Sequence, residues 1–162
     1  MAMDSSKKGV IDEKTLRKIV LSYGGDENVG ASARLYLNKS DLIAFGDVRG
    51  SDKKPVYEIT PDAGNPNTGI IKDGGLAVPY TINSNLTALA GTAQSNTAVT
   101  NTMVYGDPMN YELGLFGDYT IEVSKDYKFA EGLLTVMGEV LAGGNLIKHN
   151  GFLVCQIAKG TA

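Results

Sequence analysis

The spacing of apolar positions changes along the chain. It is helical in the first stretch and alternating over most of the remainder. Leu16, Ile19, Val20 and Tyr23 fall at i, i+3, i+4 and i+7, so residues 13–23 are predicted to form a helix with one apolar stripe. Asp12 is the predicted N-cap, Lys14, Arg17 and Lys18 take the wet side, and Gly24-Gly25 ends the helix. Residues 33–37 alternate, with Ala33, Leu35 and Leu37 on one face and Arg34 and Tyr36 on the other, as in a strand. Asn38-Lys39-Ser40 turns the chain, and Ser40 is the predicted N-cap of a short helix over 41–46.

Residues 56–59 read as a short strand. Residues 61–69 hold two prolines and two glycines and read as a turn-rich loop. Asp73-Gly74-Gly75 is a hairpin-type turn into a strand over 76–82, where Pro79 implies an edge or a bulge. Residues 83–101 are small and polar, and read as a loop or as a helix over 85–90 followed by a loop. Residues 103–105 form a strand that ends at Gly106-Asp107-Pro108. Tyr111, Leu113 and Leu115 alternate with polar or small residues, as do Tyr119, Ile121 and Val123. Gly117-Asp118 between them predicts a hairpin. Residues 125–130 connect to a largely apolar run over 133–141, and Asn150-Gly151 turns into a last strand over 152–158. Helices mixed with strands, followed by antiparallel hairpins, make the fold class α+β.

The 162 residues suit one domain, or one lobe with an extension, and 43% apolar and 20% charged residues suit a folded chain. The polar residues 1–10 read as a disordered or expression-derived leader. Twenty glycines favour turns and irregular strands over a helix bundle. The net charge of −3 comes with no basic block of nucleic-acid-binding type.

The single cysteine, Cys155, excludes an intrachain disulfide framework, and the single histidine, His149, excludes a multi-histidine metal site. His149 reads as an exposed loop residue and Cys155 as a buried strand residue, so no Cys-His dyad is expected. Glu112 and Glu122 would lie side by side across the predicted hairpin, near Asp107 and Asp118. That arrangement reads as a solvated sheet face, with a carboxylate pair or cation site as the alternative. No phosphate-binding glycine motif is present. The residues therefore call for no catalytic group, no metal and no cofactor.

Several segments, in order, resemble the tailed-bacteriophage major capsid protein family, which has the Hong Kong 97-type fold. Ala33-Arg34-Leu35-Tyr36-Leu37-Asn38-Lys39-Ser40-Asp41-Leu42 looks like the family's central strand, turn and short helix. Gly75-Leu76-Ala77-Val78-Pro79-Tyr80 is similar to the strand that follows. Tyr105-Gly106-Asp107-Pro108-Met109-Asn110-Tyr111 looks like its Gly-Asp turn, and Thr120-Ile121-Glu122-Val123-Ser124 like the next strand. Glu139-Val140-Leu141-Ala142-Gly143-Gly144 and Gly151-Phe152-Leu153-Val154 are similar to its closing strands.

The resemblance implies a structural protein with an axial lobe, a mixed sheet flanked by helices, over residues 11–102. Return strands of the peripheral-domain type would come after it, over 103–162. Relative to the family, the chain looks like a C-terminal fragment that begins after the N-terminal arm, extended hairpin loop and spine helix. The implied partners are copies of itself in capsomers, with scaffolding or protease proteins, packaged DNA met only indirectly, and no membrane. The implied location is the virion capsid of a phage or prophage, assembled in the bacterial host cytoplasm.

The loop carrying Pro61, Asp62, Asn65, Pro66 and Asn67 is the candidate intersubunit contact. Some members cross-link chains through Lys–Asn isopeptide bonds. Glu139 falls where their assisting glutamate would be, but Gly132 replaces the asparagine and the lysine loop is missing, so no cross-linking is expected. An encapsulin-type shell protein is the near alternative, and a small α+β ligand-binding or hydrolytic domain is the alternative of another class.

Overall fold

The computed structural model describes residues 2–3, 8–24, 32–95, 98–124 and 128–159. The chain divides into two compact units, Met1–Asn110 with Lys148–Ala162, and Tyr111–Ile147.

The first unit opens with a two-residue pairing of β1 (Ala2–Met3) and β2 (Gly9–Val10). Helix α1 (Thr15–Leu21) comes next, then β3 (Arg34–Leu37), helix α2 (Lys39–Asp47), β4 (Glu58–Asp62), β5 (Asn65–Asp73), β6 (Leu76–Ile82) and β7 (Thr100–Gly106). The second unit is made by β8 (Tyr111–Ser124) and β9 (Thr135–Leu146), and β10 (Phe152–Ile157) returns to the first. One six-stranded sheet runs in the order β10-β7-β3-β6-β5-β4. Only the β3–β6 pair is parallel. The architecture is the expected α+β class, a mixed sheet flanked by two helices.

The alternation in β3 explains the core. Leu35 and Leu37 are fully buried, and Leu35 pairs with Tyr80 of β6 on one side and Tyr105 of β7 on the other. Ile71, Val78, Met103 and Ile157 extend this layer, and α1 covers it with Leu16 and Ile19. Phe45 of α2 packs edge-on against Tyr57 at 5.1 Å between ring centres. The Tyr57 hydroxyl donates to the Asp12 carbonyl at 2.7 Å and accepts from Leu16 N–H at 3.5 Å, which ties the start of α1 to the sheet.

Several local expectations shift for identifiable reasons. Helix α1 starts at Thr15, because Asp12 acts one turn earlier. Its carboxylate accepts from Lys14 N–H at 3.0 Å and from the Thr15 hydroxyl at 2.8 Å. Asn38 rather than Ser40 caps α2, accepting from Ser40 N–H at 3.0 Å. Residues 83–95 contain no helix; buried Asp41 of α2 organises them by accepting from Leu89 N–H at 2.9 Å and Ala90 N–H at 2.8 Å. Pro79 stands opposite Ile70, and β3 engages β6 only from Tyr80 onward, so its missing N–H breaks no bond on that side.

Residues 61–69 are a β-hairpin tip and not a loop. Asp62 faces Asn65 across the Ala63-Gly64 turn, and Pro61 faces Gly69. The register shifts between these pairs, and Pro66, Asn67 and Thr68 have no partner on β4. Prolines are tolerated here because β4 is an edge strand and Pro66 lies in the irregular stretch. Gly69 is required by close approach. A Cβ there would meet the Thr60 carbonyl, and Tyr80 Cε1 at 2.8 Å.

The hairpin predicted at Gly117-Asp118 does not form. β8 runs through it as one strand and pairs with β9 on both sides of it; the register shifts between Phe116 and Thr120. Gly117 has φ +91°, so the glycine that suggested a turn serves a bulge instead. Glu112 and Glu122 therefore lie along one strand, opposite Asn145 and Met137, and not across from each other.

The boundary expected between 102 and 103 falls inside β7. Within the expected leader, Gly9 N–H donates to the Thr92 carbonyl at 2.9 Å. The rest of that leader at 1 and 4–7, Gly25, and the connector at 125–127 lie outside the described residues.

Candidate assembly surfaces

Cys155 is buried in β10, and burial pushes its thiol up to about 12, which keeps it protonated and a poor nucleophile at neutral pH. His149 is exposed in the turn before β10. Asp107 is buried, and its carboxylate accepts from Met109 N–H at 2.9 Å and Ser32 N–H at 3.3 Å, closing the 3-10 turn Pro108–Asn110. Among the described residues no group of three or more His, Cys, Asp or Glu is placed to hold a metal ion. No helix among them is long and apolar enough to cross a membrane.

An open groove of about 700 Å³ lies in the first unit between residues 9–14 and the end of α2. Two of its charged groups are already engaged. Arg49 donates to the Gly46 carbonyl at 2.6 Å, and Asp12 is held by Thr15 and Lys14. Nothing there is poised over a reactive centre.

Two other surfaces stand out. The first is the β4–β5 tip. Pro61, Asp62, Asn65, Pro66 and Asn67 are all exposed there. The tip is nonetheless pre-ordered. Asn65 Oδ1 accepts from Asn67 N–H at 3.1 Å, the Thr68 hydroxyl donates to the Asn65 carbonyl at 3.2 Å, and the Tyr80 hydroxyl reaches the Pro66 carbonyl at 3.5 Å. Ordering it against a neighbour therefore loses little entropy.

The second is the β8–β9 ribbon, which composition and spacing did not single out. Paired residues on two strands share a face. The register places Tyr111, Leu113, Leu115, Ile121 and Val123 of β8 on one face. The same face of β9 carries Val136, Val140 and Leu146, separated by Gly138, Ala142 and Gly144. The other face carries Glu112, Thr120, Glu122, Ser124 and Glu139, together with Phe116, Leu141 and Met137. The bulge keeps these faces consistent from end to end. On the apolar face Leu113 is 65% exposed, Leu115 61%, Ile121 69% and Val136 64%. The signal was present in the alternation on each side of Gly117, but reading a hairpin there split one face into two. Glu139 stands on the same face as Glu112 and Glu122, opposite Thr120, and Gly132 comes after a 3-10 turn with φ +67°.

A model of the phage capsid family matches residues 2–157. A solved chain from the capsid of an empty GTA particle, computed with C5 symmetry, aligns with 87% of this chain at TM-score 0.54 and 15% identity. This chain spans 42% of that capsid chain, and the likeness is one of fold. No curated protein sequence matches.

Proposed function

The chain belongs to the phage capsid family, and from that premise we propose that it associates with copies of itself into the capsomers of an icosahedral phage or prophage head. It is a structural protein of the capsid and not an enzyme. The observation that carries the assembly reading is the family match across residues 2–157.

On this reading the six-stranded lobe serves as the axial domain and the ribbon belongs to the peripheral one. The division then falls at Asn110 and Lys148, because β10 is paired with β7 in the lobe's own sheet. A closed ring needs two different, complementary surfaces on each subunit. The β4–β5 tip supplies one, offering Asp62, Asn65 and Asn67 to a neighbour. Scaffolding or protease proteins act as transient partners, DNA is met only indirectly, and assembly takes place in the bacterial cytoplasm.

The test is to purify particles from cells that encode this sequence and identify their shell protein by mass spectrometry and electron microscopy. A polypeptide containing this sequence as the dominant shell component is expected; particles lacking it would overturn the reading. Replacing residues 61–67 with a Gly/Ser linker is expected to abolish normal capsomers, and unaltered particles would remove the tip from the contact.

A further inference from the structure

We propose that Asn150 is a self-modification site, where the chain deamidates through its own backbone, and that a clasp around Gly151 sets how fast it does so.

Asn150-Gly151 is the only Asn-Gly pair in the sequence, and the fold requires both residues. Asn150 has φ +56°, a left-handed conformation that asparagine tolerates better than most side chains. A Cβ at Gly151 would lie 2.8 Å from Asn110 Cβ and 3.0 Å from the Lys148 carbonyl oxygen, so glycine is the residue that fits. The same pair suits a reaction. The Asn150 side chain is exposed, and Gly151 has no side chain to hinder the approach of its own nitrogen to Asn150 Cγ.

The chemistry needs only water. The Gly151 nitrogen gives its proton to solvent and attacks Cγ. The N–Cγ bond forms, the Cγ–Nδ2 bond breaks, and Nδ2 takes up a proton and leaves as ammonia. Water then opens the cyclic imide. Opening at Cγ–N leaves an aspartate. Opening between the nitrogen and the Asn150 backbone carbonyl carbon leaves an isoaspartate, whose main chain runs through the side chain. One water is consumed and one ammonia released, with no change of oxidation state.

The folded chain holds the nucleophile back. Gly151 is buried, and its N–H donates to the Lys148 carbonyl at 3.2 Å, so the proton that must leave is bonded and away from solvent. The Gly151 carbonyl accepts from Asn110 Nδ2 at 3.0 Å and from the Tyr23 hydroxyl at 3.4 Å. That hydroxyl accepts in turn from the Asp107 N–H at 3.2 Å, and the Tyr23 ring meets Tyr105 edge-on at 5.0 Å between centres. Gly151 must leave this clasp before its nitrogen can turn onto Cγ. An isoaspartate then adds a main-chain atom just ahead of Gly151, which moves its carbonyl away from Asn110 and Tyr23. The first opening is thereby made permanent.

The whole chain is incubated at mildly alkaline pH, native and in urea, and mapped by peptide mass spectrometry. In urea, Asn150 is expected to be the fastest asparagine to exchange its NH2 for OH, with isoaspartate among the products. The native chain should react at this site about tenfold or more slowly. Tyr23→Phe removes the hydroxyl and keeps the ring, and should speed the native reaction about fivefold. Tyr57→Phe removes the hydroxyl that bonds the Asp12 carbonyl, away from the clasp, and should leave the rate nearly unchanged. Amide exchange at Asp107 should rise in the modified fraction. Another asparagine reacting faster in urea would overturn the site. Equal native and urea rates, no acceleration in Tyr23→Phe, or the same acceleration in Tyr57→Phe would overturn the clasp as its gate.

Discussion

Asp41 offers the sharpest test of how the lobe is held together. Its side chain is fully buried in the first turn of α2, and its two oxygens accept from the N–H groups of Leu89 and Ala90 at 2.9 and 2.8 Å. These bonds fasten a stretch of chain that has no helix or strand of its own. Asp41→Ala leaves both donors without a partner. With bonds to a charged group worth about 1.5–3 kcal/mol and an orphaned buried donor costing about 1–3 kcal/mol, the variant should lose about 3–4 kcal/mol. For a chain of this size that is a fall in Tm of roughly 6–16 °C. Asp41→Asn keeps one acceptor but aims an amide N–H at the second donor, and should lose about 2 kcal/mol.

Protonation adds a second readout. Burial raises the Asp41 carboxyl above its ordinary 3.8, despite the opposing bonds from Ala90 and Leu89. The folded chain therefore holds this proton more tightly than the unfolded chain does. The stability it contributes is full below 3.8 and is lost as pH rises through the folded value. The wild type's advantage over Asp41→Asn should widen as pH falls from neutral toward 3.8. Urea unfolding followed by circular dichroism at several pH values measures it, with hydrogen exchange at Leu89 and Ala90 as a local check. An Asp41→Ala loss below about 1 kcal/mol, or a gap to Asp41→Asn that stays flat with pH, would refute the reasoning.

Three further outcomes are expected. Gly69→Ala should lose about 1–3 kcal/mol in urea unfolding, because the new methyl is forced onto the Thr60 carbonyl and Tyr80. With its thiol pushed up to about 12 and buried, Cys155 should react with a thiol reagent at neutral pH only as fast as the lobe opens; immediate labelling of native protein would contradict its placement. Arg17 donates to Asp73 Oδ1 at 2.7 Å and its Nε lies 2.7 Å from Oδ2, so Arg17→Met strands a carboxylate whose side chain is only 3% exposed. Its Tm should fall clearly further than that of Lys18→Met, whose partner Asp12 is 3.5 Å away and far more exposed.

Where local pattern and tertiary partner agreed, the sequence was enough. The stripe of Leu16 and Ile19, the alternation in β3 and the turn at Asp73-Gly74 depend on immediate neighbours, and each was readable. The capsid resemblance also came from sequence, carried by ordered segments from Ala33 to Val154. Misreadings arose where a residue's usual meaning depends on what lies beside it in space. Pro61 and Pro66 suggest a loop unless the strand is known to be an edge. Gly117-Asp118 suggests a turn unless β9 is known to run past it. Asp41 reads as an ordinary first-turn acid of a short helix, and only the approach of Leu89 and Ala90 makes it a clamp. The ribbon's apolar face was hidden for the same reason, since pairing β8 with itself instead of β9 scatters its side chains.

The ribbon enters the chain between β7 and β10, two strands that are hydrogen-bonded neighbours in the lobe's sheet. Its points of departure and return are stitched close together by the Asn110 amide donating to the Gly151 carbonyl at 3.0 Å. A short turn joining Asn110 to Lys148 would therefore span the gap that the whole excursion now fills. Residues 111–147 behave as an exchangeable cassette. Lengthening, swapping or deleting it would leave the connectivity of the scaffold that bears it unchanged, so the two units are free to diverge at different speeds.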